Sequence, residues 1–419
     1  MPLPDELLEE IFLRLPPDES ECLVRASLAS KLWLGLLTGA RFRGRYSELH
    51  GARPATTLGF FYTWPKDGGP RGEEPVPYPH FVPTTKFAAR IPDDDEWREW
   101  EWEDYAAWDC RHGRLLFGER DRGPGQLIVW DPITADWTSL NASRDYTEAS
   151  SRAAAVPCAR IGCGHRSCYW GDPFLVVFVY LFDTVAYASV FEDTTRRRIE
   201  TCSGLDLPFH ARIEPMPPVL AGDALHFMLA YEDDDHPVGV LKYNVVSNRL
   251  SLIDAPCSWS ITADDSILLM ATEDGSLGFA HVDGLTLYLW SRQMGSDGVA
   301  AWTRARVIHL KELLPIQNPE KRVIRLVGSV EGSDVIFVAT DLGIYQMKLK
   351  TLRWRKIWKS EKFCALFPYM SFYGPEGTNL SLNEPELAEF AKMEDEAIEA
   401  EVTQDEDEAI GDEVTEDED

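Results

Sequence analysis

The sequence predicts an α+β multidomain chain: a small module of three helices, then a mostly-β, propeller-like domain, then a disordered acidic tail. Three observations predict this order. Apolar residues recur at helical spacing near the N-terminus. Short runs of Val, Ile, Leu, Phe, Tyr and Trp alternate with Gly, Pro, Asp and Asn turns over residues 55–375. Residues 384–419 hold eighteen acidic residues and one lysine, so they contribute −17 to a net charge of −29.

The N-terminal module, residues 1–45, begins with a helix between Pro4 and Pro16, because proline is tolerated at a helix start and ends a helix when it follows. A second helical pattern includes Cys22 and Leu23, and a third ends near Gly39, a plausible C-cap. Helices this short are marginal alone, and their apolar residues are too many for one buried stripe. They must therefore bury apolar surface against the rest of the chain or against a partner.

Residues 3–43 resemble an F-box, the helical module that docks substrate receptors onto the Skp-family adaptor of cullin-based ubiquitin ligases. The matching residues are Leu3-Pro4, Leu7-Leu8, Ile11-Phe12, Leu15-Pro16, Cys22 to Ser27, Trp33, Leu36-Leu37 and Phe42. The family's usual Val-Cys-Lys-Arg-Trp signature reads Ala29-Ser30-Lys31-Leu32-Trp33 here. The resemblance implies that an apolar face binds the adaptor, through Leu3, Pro4, Leu7, Ile11, Leu15, Pro16, Leu23, Val24 and Trp33. For Ile11 and Trp33 especially, the alternative is packing in the module's own core.

The body, residues 55–375, contains a loose repeat in which a Gly or Asp turn leads into an apolar strand and a second strand ends near an aromatic or Met residue. These anchor residues are 47 to 61 positions apart, at Trp130, Phe191, Tyr243, Trp290 and Met347. Kelch-like propeller blades run at about fifty residues, so the spacing favours a β-propeller of five or six blades. The alternative is a β-sandwich, in which spacing is less regular. We expect the segment Leu58–Trp64 to complete the ring with C-terminal strands.

The body also resembles the F-box-associated β domains of the large plant F-box families. This likeness rests on two segments, Asp109-Cys110-Arg111-His112-Gly113 and Val129-Trp130-Asp131-Pro132-Ile133-Thr134. Together with the N-terminal module, it indicates a plant-type F-box protein with a kelch-like β domain.

Composition argues against a membrane or secreted protein. The longest apolar run, Phe174–Phe182, has nine residues, whereas a spanning helix needs about 20. The N-terminus has neither the basic region nor the apolar stretch of a secretory signal. The eight cysteines contain no CxxC pair, which suits a reducing compartment. We therefore expect the protein in the cytoplasm, the nucleus or both.

Four metal-ligand residues, Cys158, Cys163, His165 and Cys168, lie close in sequence. Their spacing does not match a zinc knuckle, so a turn with reduced cysteines is the favoured interpretation over a zinc site. We expect neither a metal nor a cofactor.

Basic residues interleave with aromatic ones from Lys348 to Phe363, a pattern that can bind nucleic acid. Because the chain as a whole is acidic, we favour a strand with one charged, solvated face, and we do not expect nucleic acid as a partner. One hypothesis is that the acidic tail folds back over this strip.

A second unusual group is the set of tryptophans Trp97, Trp100, Trp102 and Trp108, for which packing between blades is favoured over a recognition role.

No HExxH, GxSxG, P-loop or GxGxxG motif is present. We therefore predict a non-enzymatic substrate receptor that binds a Skp-family adaptor, and through it a cullin, with its F-box, and an unknown target protein with its β domain. The alternative is a propeller scaffold or ligand-binding protein whose N-terminal helices only pack on the body. Exposure of Leu3, Pro4 and Leu7 in the free chain would favour docking.

Overall fold

The computed structural model describes residues 3–15, 20–27, 29–50, 57–63, 81–84, 105–119, 125–132, 136–141, 149–159, 173–192, 198–233, 238–256, 266–295, 298–318, 324–359 and 365–370. The chain divides into two compact units, residues 1–376 and 377–419. All described residues belong to the first unit, and the predicted tail, residues 384–419, lies outside them.

The N-terminal module contains the three predicted helices and a fourth after them. Their bounds are α1 Asp5–Leu13, α2 Ser20–Ser27, α3 Lys31–Thr38 and α4 Ala40–His50. Ser30 caps α3, because its hydroxyl accepts a hydrogen bond from the Trp33 N–H at 3.1 Å. The helices enclose a small core of buried residues, which are Leu8, Phe12, Leu13, Leu23, Leu37, Phe42 and Tyr46.

The body consists of antiparallel sheets, five of which follow one another along the chain. The first two strands are β1 Thr57–Thr63 and β2 Phe81–Pro83. Blade 1 comprises β3 Tyr105–Arg111, β4 Arg114–Glu119, β5 Gln126–Trp130 and β6 Trp137–Asn141. Blade 2 comprises β7 Ser151–Ala155, β8 Leu175–Phe182, β9 Val185–Glu192, β10 Arg198–Thr201 and the short β11 Leu205–Asp206.

The next three blades continue the pattern. Blade 3 comprises β12 Ala211–Ile213, β13 Val219–Ala221, β14 Ala224–Tyr231, β15 Val238–Asn244 and β16 Arg249–Asp254. Blade 4 comprises β17 Ser266–Ala271, β18 Leu277–Asp283, β19 Thr286–Met294 and β20 Ala300–His309, followed by a short 3-10 helix, Leu310–Glu312. Blade 5 comprises β21 Arg325–Ser329, β22 Val335–Thr340, β23 Gly343–Lys348 and β24 Trp354–Trp358.

The sixth blade closes the ring by joining the two ends of the body. The last strand, β25 Ala365–Met370, pairs antiparallel with β1, and β1 pairs with β2. Phe61 of β1 stands opposite Phe367 of β25. The inner strands neighbour one another around the circle, and β25 lies beside β3 of blade 1. The body is therefore a six-bladed propeller, as predicted, and the predicted closure near Leu58 is confirmed.

The sequence repeat has a simple structural origin. Its five anchor residues all lie on the third strand of a blade: Trp130 on β5, Phe191 on β9, Tyr243 on β15, Trp290 on β19 and Met347 on β23. Each anchor is directed against a neighbouring blade, so one large residue per blade helps to fill the space between sheets. In the sixth blade, which is assembled from two distant segments, Phe81 on β2 packs against the cluster between blades 6 and 1.

Apolar clusters fill the interfaces between adjacent blades. The cluster between blades 6 and 1 includes Phe61, Trp130 and Tyr369, and it also includes Val24 of α2, which is completely buried. The helical module therefore contacts the propeller through Val24.

A buried arginine connects three blades near the inner strands. Arg111, at the end of β3, donates to the Pro218 carbonyl of blade 3 at 2.8 Å and to Glu331 Oε1 of blade 5 at 3.0 Å. It also pairs with Asp109 of its own strand at 3.3 Å. Burial lowers the pKa of Arg111, but the charges of Asp109 and Glu331 outweigh this effect and raise it above its ordinary value. The guanidinium stays charged and ties the blades together.

Candidate interaction surface

Helix α1 presents an exposed apolar stripe. Leu7 and Ile11 lie four residues apart, about one turn along the helix. Leu3 lies four residues before Leu7, just ahead of the start of the helix. All three are about half exposed, at 52% for Leu3, 52% for Leu7 and 50% for Ile11, and Pro4 is exposed beside them. We call Leu3, Pro4, Leu7 and Ile11 the α1 stripe. Two exposed aliphatic side chains on α1 and a third just before it recur at intervals of four, an arrangement typical of a docking site.

The opposite face of α1 is held in place by α4. The Glu9 carboxylate, although buried, pairs with Arg45 at 2.5 Å and lies 3.7 Å from Arg41. The Tyr46 hydroxyl donates to the Leu15 carbonyl at 2.9 Å, and His50 Nε2 lies 2.6 Å from the Leu13 carbonyl. The contacts of Tyr46 and His50 satisfy carbonyls at the C-terminal end of α1, where no further helical turn supplies N–H donors. The α1 stripe is therefore displayed on a helix that is already ordered.

The remaining residues predicted to bind the adaptor lie in other environments. Leu15 and Trp33 are half-buried, and the Trp33 ring packs edge-to-face on Phe12 with centroids 5.1 Å apart. Leu23 is completely buried in the core of the helical module, and Val24 is completely buried against the propeller. Pro16 lies outside the described residues. In this conformation, Leu23 and Val24 present no surface to a partner, whereas the α1 stripe does.

Sequence reasoning missed helix α4 and two exposed leucines. Phe42, Tyr46 and His50 repeat at intervals of four, and this spacing could have indicated the helix. Leu32 of α3 and Leu49 of α4 are more than half exposed. No helical pattern inspected by itself could identify them, because exposure depends on how the four helices pack together.

The comparisons with known proteins identify the module. Residues 2–43 match the family model of the F-box domain. The chain therefore carries an F-box domain at its N-terminus, followed by the six-bladed propeller. No curated protein matches the chain in sequence.

Several solved structures share low similarity with this chain. The WD40 domain of SCAP from fission yeast is 12% identical, with a TM-score of 0.33, over 62% of this chain and 56% of that one. A protein from Lactobacillus plantarum is 13% identical, with a TM-score of 0.33, over 62% of this chain and 86% of that one. This chain therefore spans little more than half of the SCAP domain.

Other predicted features are only partly within the described residues. Cys158 is buried and reduced, whereas Cys163, His165 and Cys168 lie outside the described residues, so the choice of a turn with reduced cysteines over a zinc site stays a prediction. Within the part of the chain that the structure describes, no group of three metal-ligating side chains comes together, and no helix is long and apolar enough to cross a membrane. Of the four clustered tryptophans, only Trp108 is described, and it stacks on Phe178 of blade 2.

Proposed function

We propose that this protein is the substrate-recognition subunit of a Skp–cullin–F-box ubiquitin ligase. In this proposal, the F-box binds a Skp-family adaptor, and through it a cullin, while the propeller binds a target protein. Its contribution to ubiquitination is proximity, because it raises the local concentration of target lysines near the charged conjugating enzyme. It performs no bond-making chemistry itself, and it acts in the cytoplasm, the nucleus or both.

The observation that carries the proposal is the α1 stripe on a matched F-box domain. Fully burying a leucine or isoleucine is worth about 2 kcal/mol, so covering the exposed halves of three such side chains is worth about 3 kcal/mol. That free energy corresponds to more than about a hundredfold in affinity. The stripe is thus large enough to dominate a docking interface.

The finer family assignment also remains a proposal. The likeness to plant F-box proteins with kelch-like, F-box-associated β domains rests on the segments Asp109–Gly113 and Val129–Thr134. Asp109 and Arg111 of the first segment take part in the network that joins the blades, so this segment has a structural role in the propeller.

A scaffold that does not engage the adaptor is the second candidate. The observation in its favour is Val24, which packs into the apolar cluster between blades 6 and 1. Helices that serve only as a cap on the body would make such a contact. However, a cap would have no need of an outward apolar stripe on α1.

Binding of the full-length protein to a purified Skp-family adaptor tests the proposal. We expect tight binding by the wild type and a loss of more than about a hundredfold in the double variant Leu3→Asp, Leu7→Asp, because the carboxylates would be desolvated on docking. The matched control is Val246→Asp, at an apolar side chain of the propeller that is 71% exposed. A folded wild type that does not bind the adaptor would leave the scaffold as the function.

A further inference from the structure

The outer edge of blade 5 is a basic surface. Its last strand, β24, pairs with β23 on one side, and no described strand pairs with its other side. The exposed cations on β24, at the end of β23 and in the adjoining turns are Lys348, Lys350, Arg353, Arg355, Lys356 and Lys359. We call these residues, together with Trp354, the β24 surface. Such a concentration of positive charge contrasts with the chain's net charge of −29.

Within the described part of the chain, one of these six cations forms an ion pair with a carboxylate. Among the described residues, only Lys350 of this group has a carboxylate partner, Glu273 of blade 4. The Arg355 guanidinium bonds instead to the neutral side chain of Gln346 at 2.7 Å. Lys356 lies over the ring of Tyr345, with its ammonium 5.9 Å from the ring centroid. The surface therefore has positive charge available for an acidic ligand.

An aromatic side chain lies in the middle of this charge. Trp354 is 40% exposed, and its ring stands edge-on against Tyr345 with centroids 5.3 Å apart. Trp354 pairs with Met347 in the register of blade 5, so the two side chains lie on the same face of the sheet. Because Met347 is completely buried, the indole lies next to a well-ordered apolar residue. Half-exposed tryptophan flanked by arginine is the composition found at interface hot spots.

The neighbouring blade holds the surface in position. Arg306 of β20 donates a hydrogen bond to the Leu349 carbonyl, in the turn between β23 and β24. The Lys350–Glu273 pair makes a second connection between the same two blades. Because this turn is anchored at two points, its backbone is held in place before any ligand arrives, which lowers the entropic cost of binding.

We propose that the β24 surface binds an extended acidic segment of the protein captured for ubiquitination. This inference rests on the proposed function and adds to it the class of substrate. The cations match the charge of Asp- and Glu-rich segments, and Trp354 provides an apolar anchor. The edge of β24 with which no described strand pairs offers backbone groups for strand addition.

Two features favour a peptide over a nucleic acid. The β24 strand has five residues and so extends about 17 Å. A nucleic acid carries dense negative charge along its whole length, so the part beyond this basic patch would be repelled by the acidic protein. In addition, one exposed tryptophan offers a single stacking position, whereas single strands are held by several.

The test measures fluorescence anisotropy of a labelled peptide of about twelve residues in which Glu alternates with Val and Thr, a length that suits an extended segment. Two comparison probes are the same peptide with Gln in place of Glu and an oligothymidylate of equal length. With the full-length protein, we expect the acidic peptide to bind at least about tenfold more tightly than either, and its affinity to fall as salt rises.

The variants then locate the binding surface. The double variant Arg355→Glu, Lys356→Glu should weaken binding of the acidic peptide at least about tenfold, and Trp354→Ala should weaken it about fivefold. The matched control is Arg212→Glu, Arg249→Glu, a reversal of two exposed charges on blade 3, which should change the affinity less than about twofold. An equal loss in the control, no binding by the wild type, or tighter binding of the oligonucleotide would overturn the proposal.

Adaptor binding by the same variants separates this inference from the proposed function. The blade 5 variant should bind the adaptor like the wild type, and the Leu3→Asp, Leu7→Asp variant should bind the peptide like the wild type. If the adaptor fails to bind while the peptide binds and responds to the blade 5 variant, the β24 surface stands as an acidic-peptide site and the ligase assignment falls. If the adaptor binds and the peptide does not, the ligase assignment stands and the β24 surface is not an acidic-peptide site.

Discussion

Replacement of Arg111 by methionine tests whether the buried arginine network stabilises the propeller ring. The substitution keeps an unbranched side chain but removes the charge that joins blades 1, 3 and 5. Removal of one partner from a buried ion pair costs about 3–5 kcal/mol. The remaining carboxylates keep some partners. Asp109 still accepts from the Val156 N–H at 2.8 Å. The side chain of Glu331 is 39% exposed to water. We therefore expect Arg111→Met to lower the free energy of unfolding by about 3 kcal/mol, the lower end of that range.

A double-mutant cycle with Glu331 shows whether the pair acts as a unit. Glu331→Gln keeps an acceptor for Arg111 and should cost about 1 kcal/mol by itself. Because Glu331→Gln weakens the same contact that Arg111→Met removes, the double variant should cost about 3 kcal/mol rather than the sum of the two. The surface pair Arg212–Glu214, with Arg212 74% exposed, supplies the control, and Arg212→Met should cost less than about 0.5 kcal/mol.

Urea unfolding followed by tryptophan fluorescence measures these free energies. A loss of less than about 1 kcal/mol for Arg111→Met would refute the stabilising role of the network. Strict additivity in the double variant would refute the coupling between blades 1 and 5.

Two further predictions concern other parts of the propeller. Burial lowers the pKa of His226 from its ordinary value to about 4, although its hydrogen bond to the Val219 carbonyl opposes the shift. As the pH falls, the unfolded chain therefore protonates His226 before the folded chain does. The free energy of unfolding is highest above about pH 6.5 and decreases by about 3 kcal/mol as the pH falls to about 4. Urea unfolding of His226→Gln should show a weaker pH dependence between these pH values, and an unchanged dependence would contradict the assignment. Phe61→Ala should cost about 3–5 kcal/mol in the same assay, because Phe61 is buried against Trp130 and Tyr369 where the ring closes, and a cost below about 1 kcal/mol would show that β1 does not close the ring.

Local patterns predicted the helical module and the blade repeat well. The helix after Pro4 follows from a proline at its start and from apolar residues at helical spacing, so the sequence alone suffices for it. The anchors from Trp130 to Met347 revealed the blade repeat, because each blade needs one large side chain at the same place. The fourth helix was missed, although Phe42, Tyr46 and His50 recur at intervals of four, a spacing that indicates a helix.

The candidate sites depended more on packing. The α1 stripe and the buried Leu23 and Val24 all appear in the sequence as apolar residues at helical positions, and only the packed structure separates those that face solvent from those that do not. The basic strip was visible in the sequence as a charged strand, but its connection to blade 4 through Arg306 joins residues that lie far apart in the chain.

The sequence by itself therefore determined the order of the parts: an F-box-like helical module, a β body with a regular repeat and an acidic terminal segment. These are properties of local spacing and composition, which act over a few residues. The tertiary structure decided the number of blades, the register in which β1 pairs with β25, the contacts of Arg111 and the outward direction of the α1 stripe. Each of these depends on contacts between residues far apart in sequence, and such contacts exist only when the ring is assembled.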